Sequence, residues 1–165
     1  MQLTAEQYIE KLGLMPHPEG GFYRQVFGND ETGKKDISTI YYMLTGSDIS
    51  AFHKLHDVVE IWYYHSGSSM VLYIIGTDGV LRHEKLGLDI EHGEQPQIIA
   101  KKGEIFGAVM EGTGYSLVSC MVSPEFKYEE FELLERKDLL EKYLPDDLKE
   151  FNELYRELEN EMYPM

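Results

Sequence analysis

Between Gly21 and Ser123 the chain offers a succession of short apolar and aromatic runs with no sustained helical period. The runs are Phe22–Phe27, Ile37–Leu44, Ile49–Leu55, Val58–His65, Met70–Ile75, Val80–Lys85, Gln97–Ala100, Ile105–Val109 and Tyr115–Val122. Each is rich in β-branched or aromatic residues, and Gly-bearing turns separate them, which is the pattern of strands. Gly76-Thr77-Asp78-Gly79 is a hairpin signal, because Asp-Gly supplies the positive φ of a tight turn. Lys102-Gly103 marks a second turn. Strands at this spacing with no helices between them predict an antiparallel sandwich or barrel of jelly-roll type.

The two ends read differently. Thr4-Ala5-Glu6-Gln7 is a capping box, Tyr8, Ile9 and Leu12 form an apolar stripe, and Gly13 can close a short helix in the left-handed conformation. Pro16 and Pro18 then stop any continuation. After Pro124 the period changes again: Leu139, Leu140 and Tyr143 suit one helix. Leu148, Phe151, Leu154, Tyr155, Leu158 and Met162 suit another, with Asp146 and Asp147 favoured at its start by the helix dipole. The expected organisation is one domain over residues 1–165, with a barrel at about 21–123 and C-terminal helices at about 135–162.

Charge excludes some functions. A formal net charge of −15 argues against a nucleic-acid surface, which needs Lys and Arg facing phosphate, and against a polybasic membrane patch. The excess is uneven: Glu125 to Met165 holds fourteen acids and six bases, a balance of −8, which reads as a solvated helical face. No apolar run is long enough to cross a bilayer. The polar N-terminus shows no secretory leader, so a cytoplasmic location is expected. Cys120 is the single cysteine, and its apolar neighbours suggest a buried small residue rather than a nucleophile.

Candidate chemistry concentrates in the segment His53 to Gly67. Glu60, Trp62 and Tyr64 alternate, so they share one strand face, while Ile61, Tyr63 and His65 share the other. A carboxylate beside an indole and a phenol can form a ligand site; a rim Glu beside ordinary aromatic core explains the same spacing. His53 and His56 suggest a metal, but ligands from one strand share a face at i, i+2, and these stand at i, i+3. No CxxC, HExxH or carboxylate cluster completes a site. His83 and His92 fall in polar hairpin surroundings and are expected at the surface. Arg24 can clamp a carboxylate or phosphate, or pair structurally with Glu60 or Glu19. Ser38 and Thr39 lack a His–Asp partnership. Gly20-Gly21 is not followed by a phosphate-loop helix.

Taken in order, LGLMPHPEGGFYRQVF, STIYYML, the His…Glu-x-Trp strand ending in Gly67, GEQPQ and LVSCMVSPEF resemble the cupin 5 family of uncharacterised single-domain cupins, from about Leu12 to Phe131. The resemblance implies an all-β jelly roll, the double-stranded β-helix barrel, with a short N-terminal helix and two C-terminal helices. It also implies a homodimer and a cavity of small-molecule size, with structural kin among sugar-nucleotide epimerases. His53, Glu60 and Trp62 fall on the first cupin motif, Gly67 on its closing glycine, and Arg24 in PHPEGGFYR. There are departures. Six residues separate His53 from Glu60, one more than the family pattern, and Phe106 stands where metal-binding cupins place a second-motif His.

These readings converge on a small-molecule-binding cupin without metal or cofactor. His53 and Glu60 are the catalytic candidates, and Arg24, Trp62 and Tyr64 the ligand-binding ones. If it is an enzyme, a metal-independent epimerase or isomerase acting on a carbohydrate-like ligand fits this inventory. The alternatives are a non-enzymatic binding or sensing module, a metal-dependent enzyme using His53, Glu60 and His56, and an interaction protein acting through its acidic C-terminal helices.

Overall fold

A computed structural model describes residues 2–28 and 35–134. The elements are α1 (Ala5–Leu12), β1 (Met15–Pro16), β2 (Phe22–Phe27), β3 (Ser38–Thr45), β4 (Ile49–Leu55), β5 (Val59–Gly67), β6 (Met70–Ile75), β7 (Leu81–Leu86), β8 (Glu94–Gln95), β9 (Gln97–Ala100), β10 (Ile105–Met110), β11 (Tyr115–Ser123) and β12 (Phe131–Leu133), with 3₁₀ turns at Ile90–His92 and Tyr128–Glu130. They form two six-stranded sheets, β1-β2-β3-β11-β5-β9 and β12-β4-β10-β6-β7-β8. All pairings are antiparallel except the short β7–β8 ladder. This is the expected jelly roll.

The N-terminal helix forms for the reasons its sequence gives. The Thr4 hydroxyl accepts from the Gln7 amide, the Gln7 side chain accepts from the Thr4 amide, and Gly13 ends the helix at φ 63°. Tyr8, Ile9 and Leu12 pack with Leu14, Met43, Tyr115 and Leu117 on the outside of the first sheet. The Asp-Gly hairpin also forms: Asp78 accepts from the Val80 amide, and Gly79 has φ 80°.

Strand register decides what faces inward. On one row across the first sheet Gln25, Ile40, Cys120, Trp62 and Ile98 lie side by side; on the next, Ser38, Val122, Glu60 and Ala100 do. These rows face the second sheet. Between them the main core closes on Tyr42, Leu44, Trp62, Leu72, Ile74, Phe106 and Val118. The intervening row of Thr39, Met121, Ile61 and Ile99 faces outward, so period-two alternation holds across four strands.

Three strands escaped the sequence reading. β1 and β8 have two residues each, too short for any periodicity. β12 lies in an acidic stretch after Pro124 and gains its strand character from pairing with β4, whose free edge it covers. The expected C-terminal helices lie outside the described residues. Among the described residues no helix is long and apolar enough to cross a membrane.

Candidate functional site

The loop between β1 and β2 is pressed into the barrel. Gly20 (φ 110°) and Gly21 (φ 71°) take left-handed backbone, and a Cβ on Gly20 would overlap the Ile49 carbonyl, so only glycine fits there. Backbone bonds fix the turn: the His17 amide donates to Gly21 O (2.9 Å), the Gly20 amide to His17 O (3.0 Å) and the Ala51 amide to Glu19 O (2.9 Å). The Tyr42 hydroxyl donates to Gly20 O at 2.7 Å. The result places Glu19, only 6 % exposed, among strands rather than in solvent.

Glu19 organises its surroundings. Its Oε1 accepts from the Ser50 hydroxyl at 3.1 Å, and its Oε2 lies 3.3 Å from His53 Nδ1. The same His53 nitrogen lies 2.7 Å from the Ala51 carbonyl. A carbonyl only accepts, so Nδ1 carries the proton, and in the neutral imidazole Nε2 is then the acceptor. His53 is 2 % exposed, its ring held 4.3 Å from Phe106 and 5.4 Å from Phe131 between centroids. His17 Nδ1 accepts from the Glu19 amide at 3.1 Å. Burial first, and then the nearby His53, push the His17 pKa down, against the opposing pull of Glu19.

Glu60 enters from the opposite sheet. It is buried beside Cys120, and burial together with the Glu19 charge raises its pKa to about 8, against a hydrogen bond from the Cys120 side chain that works the other way. At neutral pH Glu60 is therefore a carboxylic acid that can donate a proton. Burial and Glu60 itself push the Cys120 thiol well up, so it stays protonated.

These groups share a cavity of about 150 Å³. Glu60, Cys120, Ser38 and Gln25 line it from the first sheet, His53 and Leu55 from β4, and His17 and Glu19 from the pressed loop. Phe126, Tyr128 and Phe131 close it from the segment after β11. That segment is pinned by the Phe126 amide on Ser38 Oγ (2.9 Å) and by β12 on β4.

Of the expected site residues, the structure brings His53 and Glu60 to this cavity and leaves three elsewhere. Arg24 alternates away from Tyr23 and Gln25, so it faces outward, exposed, with its guanidinium 5.6 Å from the centre of the Tyr41 ring. It pairs with neither Glu60 nor Glu19. Trp62 shares the inward face with Glu60 but is fully buried, 5.6 Å from the Tyr42 ring and 6.3 Å from Phe106; it is core rather than a stacking wall. Tyr64 lies further along β5, beyond the cavity, where its hydroxyl donates to Gly67 O at 2.6 Å. Two short β-strand steps from Glu60 are enough to leave the cavity.

Other expectations hold. His65 is exposed on the outer face, in contact with Ser119 at 2.6 Å. His56 points away from His53 to Glu132 at 2.8 Å, and His83 and His92 are exposed. The sequence reading missed His17, Cys120 and, above all, Glu19. The signal for Glu19 was present: a carboxylate immediately before two glycines that must accept close backbone approach.

A cupin metal site requires several convergent His and carboxylate ligands. Among the described residues no group of three or more His, Cys, Asp or Glu has that geometry. Phe106 packs its ring on His53 at the place of the second-motif ligand. The residues present do not fit a metal.

The comparisons agree with the fold. Residues 6–134 match the family Cupin_5, described as Cupin superfamily (DUF985). The chain belongs to that family. It is 41% identical to protein SO0799 from Shewanella oneidensis, with a TM-score of 0.79 over 86% of this chain and 91% of that one. A hypothetical protein from Leishmania major is 36% identical, with a TM-score of 0.77 over 86% of this chain and 93% of that one. The uncharacterized Saccharomyces cerevisiae protein YML079W is 28% identical over 160 residues, spanning 83% of this chain and 78% of its own length.

Proposed function

We propose that this cupin binds a ring-sized, carbohydrate-like molecule in the barrel cavity and acts on it as a metal-independent isomerase or epimerase. One arrangement carries the reading: the buried Glu60 carboxyl, its pKa pushed up to about 8 by burial and by Glu19, and an imidazole braced by a second carboxylate line one cavity. In the proposed step His53 Nε2 takes a proton from a carbon next to a carbonyl, while Glu60 gives its proton to the carbonyl oxygen. The imidazolium that forms is stabilised by Glu19, 3.3 Å from Nδ1. The Glu60 carboxylate keeps its Cys120 hydrogen bond. The His53 imidazolium then returns its proton to the carbon that bore the carbonyl while the Glu60 carboxylate takes the proton of the neighbouring enediol hydroxyl, which yields the isomer and restores both groups. For an epimer, Glu60 takes back the enol proton and delivers it to the original carbon from the other face, and water carries the imidazolium proton back to Glu60. Glu19 is a positioning residue in this scheme.

A homodimer is part of the proposal. The outward row of Thr39, Met121, Ile61 and Ile99 carries no charged side chain on a strongly acidic chain, which supports self-association through this sheet. The proposed location is the cytoplasm.

The test is hydrogen–deuterium exchange into a panel of small hydroxy-aldehydes and hydroxy-ketones in D₂O, read by NMR. Exchange at the carbon next to the carbonyl is expected with the natural protein. It should fall by about 10² or more in both His53→Ala and Glu60→Gln. Exchange that both variants leave unchanged would overturn the assignment. Saturable binding without any exchange would replace it with a binding or sensing module.

A further inference from the structure

We propose that the cavity selects a positively charged, amine-bearing ligand over an acid or a phosphorylated compound. This rests on the reading that the cavity is the binding site, and adds the charge of what enters it. Among the described residues lining the cavity there is no Lys or Arg. A carboxylate or phosphate ligand would find no guanidinium or ammonium partner there, and would face two carboxyl groups, Glu19 and Glu60. Lys54 and Lys127 neighbour lining residues in the chain but are not among the residues that line the cavity. Arg24 lies over Tyr41 on the outer face, Arg82 is held by Glu84 and Glu104, and Lys85 by Glu111.

The walls suit a cation. Tyr128 and Phe126 meet at 5.2 Å between ring centres, Phe126 and Phe131 at 6.2 Å, and Phe131 and His53 at 5.4 Å. This makes one continuous aromatic wall. His17 and Tyr23, 4.5 Å apart, add a second. Aromatic rings beside a carboxylate can recognise alkylammonium groups, because a ring face turned to the cation and the carboxylate act on the same charge. A cavity of about 150 Å³ holds a single ring, as an engineered apolar cavity of about that size holds benzene. An ammonium on such a ring would reach Glu19 or Glu60 from inside it.

Three probes of one shape separate charge from size: benzylammonium, benzyl alcohol and benzoate. Each is titrated into the protein at neutral pH, with the methyl signals of Ile40, Leu55 and Val122, which line the cavity, read by NMR. Benzylammonium is expected to shift these signals with an affinity about tenfold above that of benzyl alcohol, and benzoate to leave them unchanged. Glu19→Gln should weaken benzylammonium by about tenfold and spare benzyl alcohol. Tyr128→Ala removes a largely exposed wall residue, so it provides a second variant that retains the fold; it should weaken benzylammonium several-fold. Benzoate or benzyl alcohol binding as tightly as benzylammonium would overturn the charge selection while leaving the cavity as a binding site. Failure of all three to move the methyl signals also overturns it. The acid–base reading stands or falls separately, on the His53 and Glu60 variants in the exchange assay.

Discussion

Replacing Glu60 with Gln should make the protein more stable at alkaline pH and change little in acid. Burial and Glu19 raise the Glu60 pKa from 4.5 to about 8 in the folded protein, whereas the unfolded chain keeps an ordinary carboxyl. Between those values the folded state holds a proton that the unfolded state has released. Stability therefore falls as pH rises through this window and levels off above it. The difference of about 3.5 units, at about 1.36 kcal/mol per unit, gives about 5 kcal/mol as the upper figure, since a charged Glu60 draws water into the cavity and lowers its own cost. Gln keeps the shape and cannot titrate. Urea unfolding of both proteins from about pH 5 to pH 9 isolates the effect, because the ionisable groups that do not interact with Glu60 are common to both and cancel in the difference. The stability of Glu60→Gln minus that of the natural protein should climb by up to about 1.4 kcal/mol per pH unit and reach a plateau above pH 8. A difference that stays constant across the range would refute the protonated Glu60.

Other consequences follow from the same contacts. Glu19→Gln removes the charge that helps raise Glu60, so the Glu60 titration midpoint, followed by carbon NMR of the carboxyl, should move below 8. Glu104→Gln breaks the two-pronged bond from Arg82 and weakens the bond from the Lys101 amide, at 2.8, 3.0 and 2.8 Å. It should cost about 1–3 kcal/mol in denaturant unfolding. Gly20→Ala forces a side chain into left-handed backbone against the Ile49 carbonyl; a loss of about 3 kcal/mol or failure to fold is expected in thermal unfolding. Arg24→Ala should leave the affinity of any cavity ligand unchanged in calorimetry, because its side chain faces the other way.

The barrel was legible because strand alternation is a local property. The predicted strands Phe22–Phe27, Ile49–Leu55, Met70–Ile75 and Gln97–Ala100 coincide with β2, β4, β6 and β9. The face containing Glu60 followed from the same period. The cavity was less legible, because it depends on which parts of an inward face lie at the barrel end where the pressed loop and the β12 segment meet. Alternation places Glu60, Trp62 and Tyr64 together, yet Glu60 alone of the three lines the cavity. Arg24 was misplaced for a related reason: its motif neighbours Tyr23 and Gln25 face inward, so alternation turns Arg24 outward. Glu19 and His53 are 34 residues apart in the chain. Only the close approach of Gly20 to Ile49 brings them to 3.3 Å.

The central claim is that His53 and Glu60 face a ligand in this cavity. A crystal structure of the protein soaked with a panel of ring-sized amines and polyols tests it most directly. The account predicts a bound ring inside the cavity, with polar atoms about 2.6–3.2 Å from His53 Nε2 or a Glu60 carboxyl oxygen. Compounds that bind elsewhere while His53 and Glu60 meet only one another or water would contradict it.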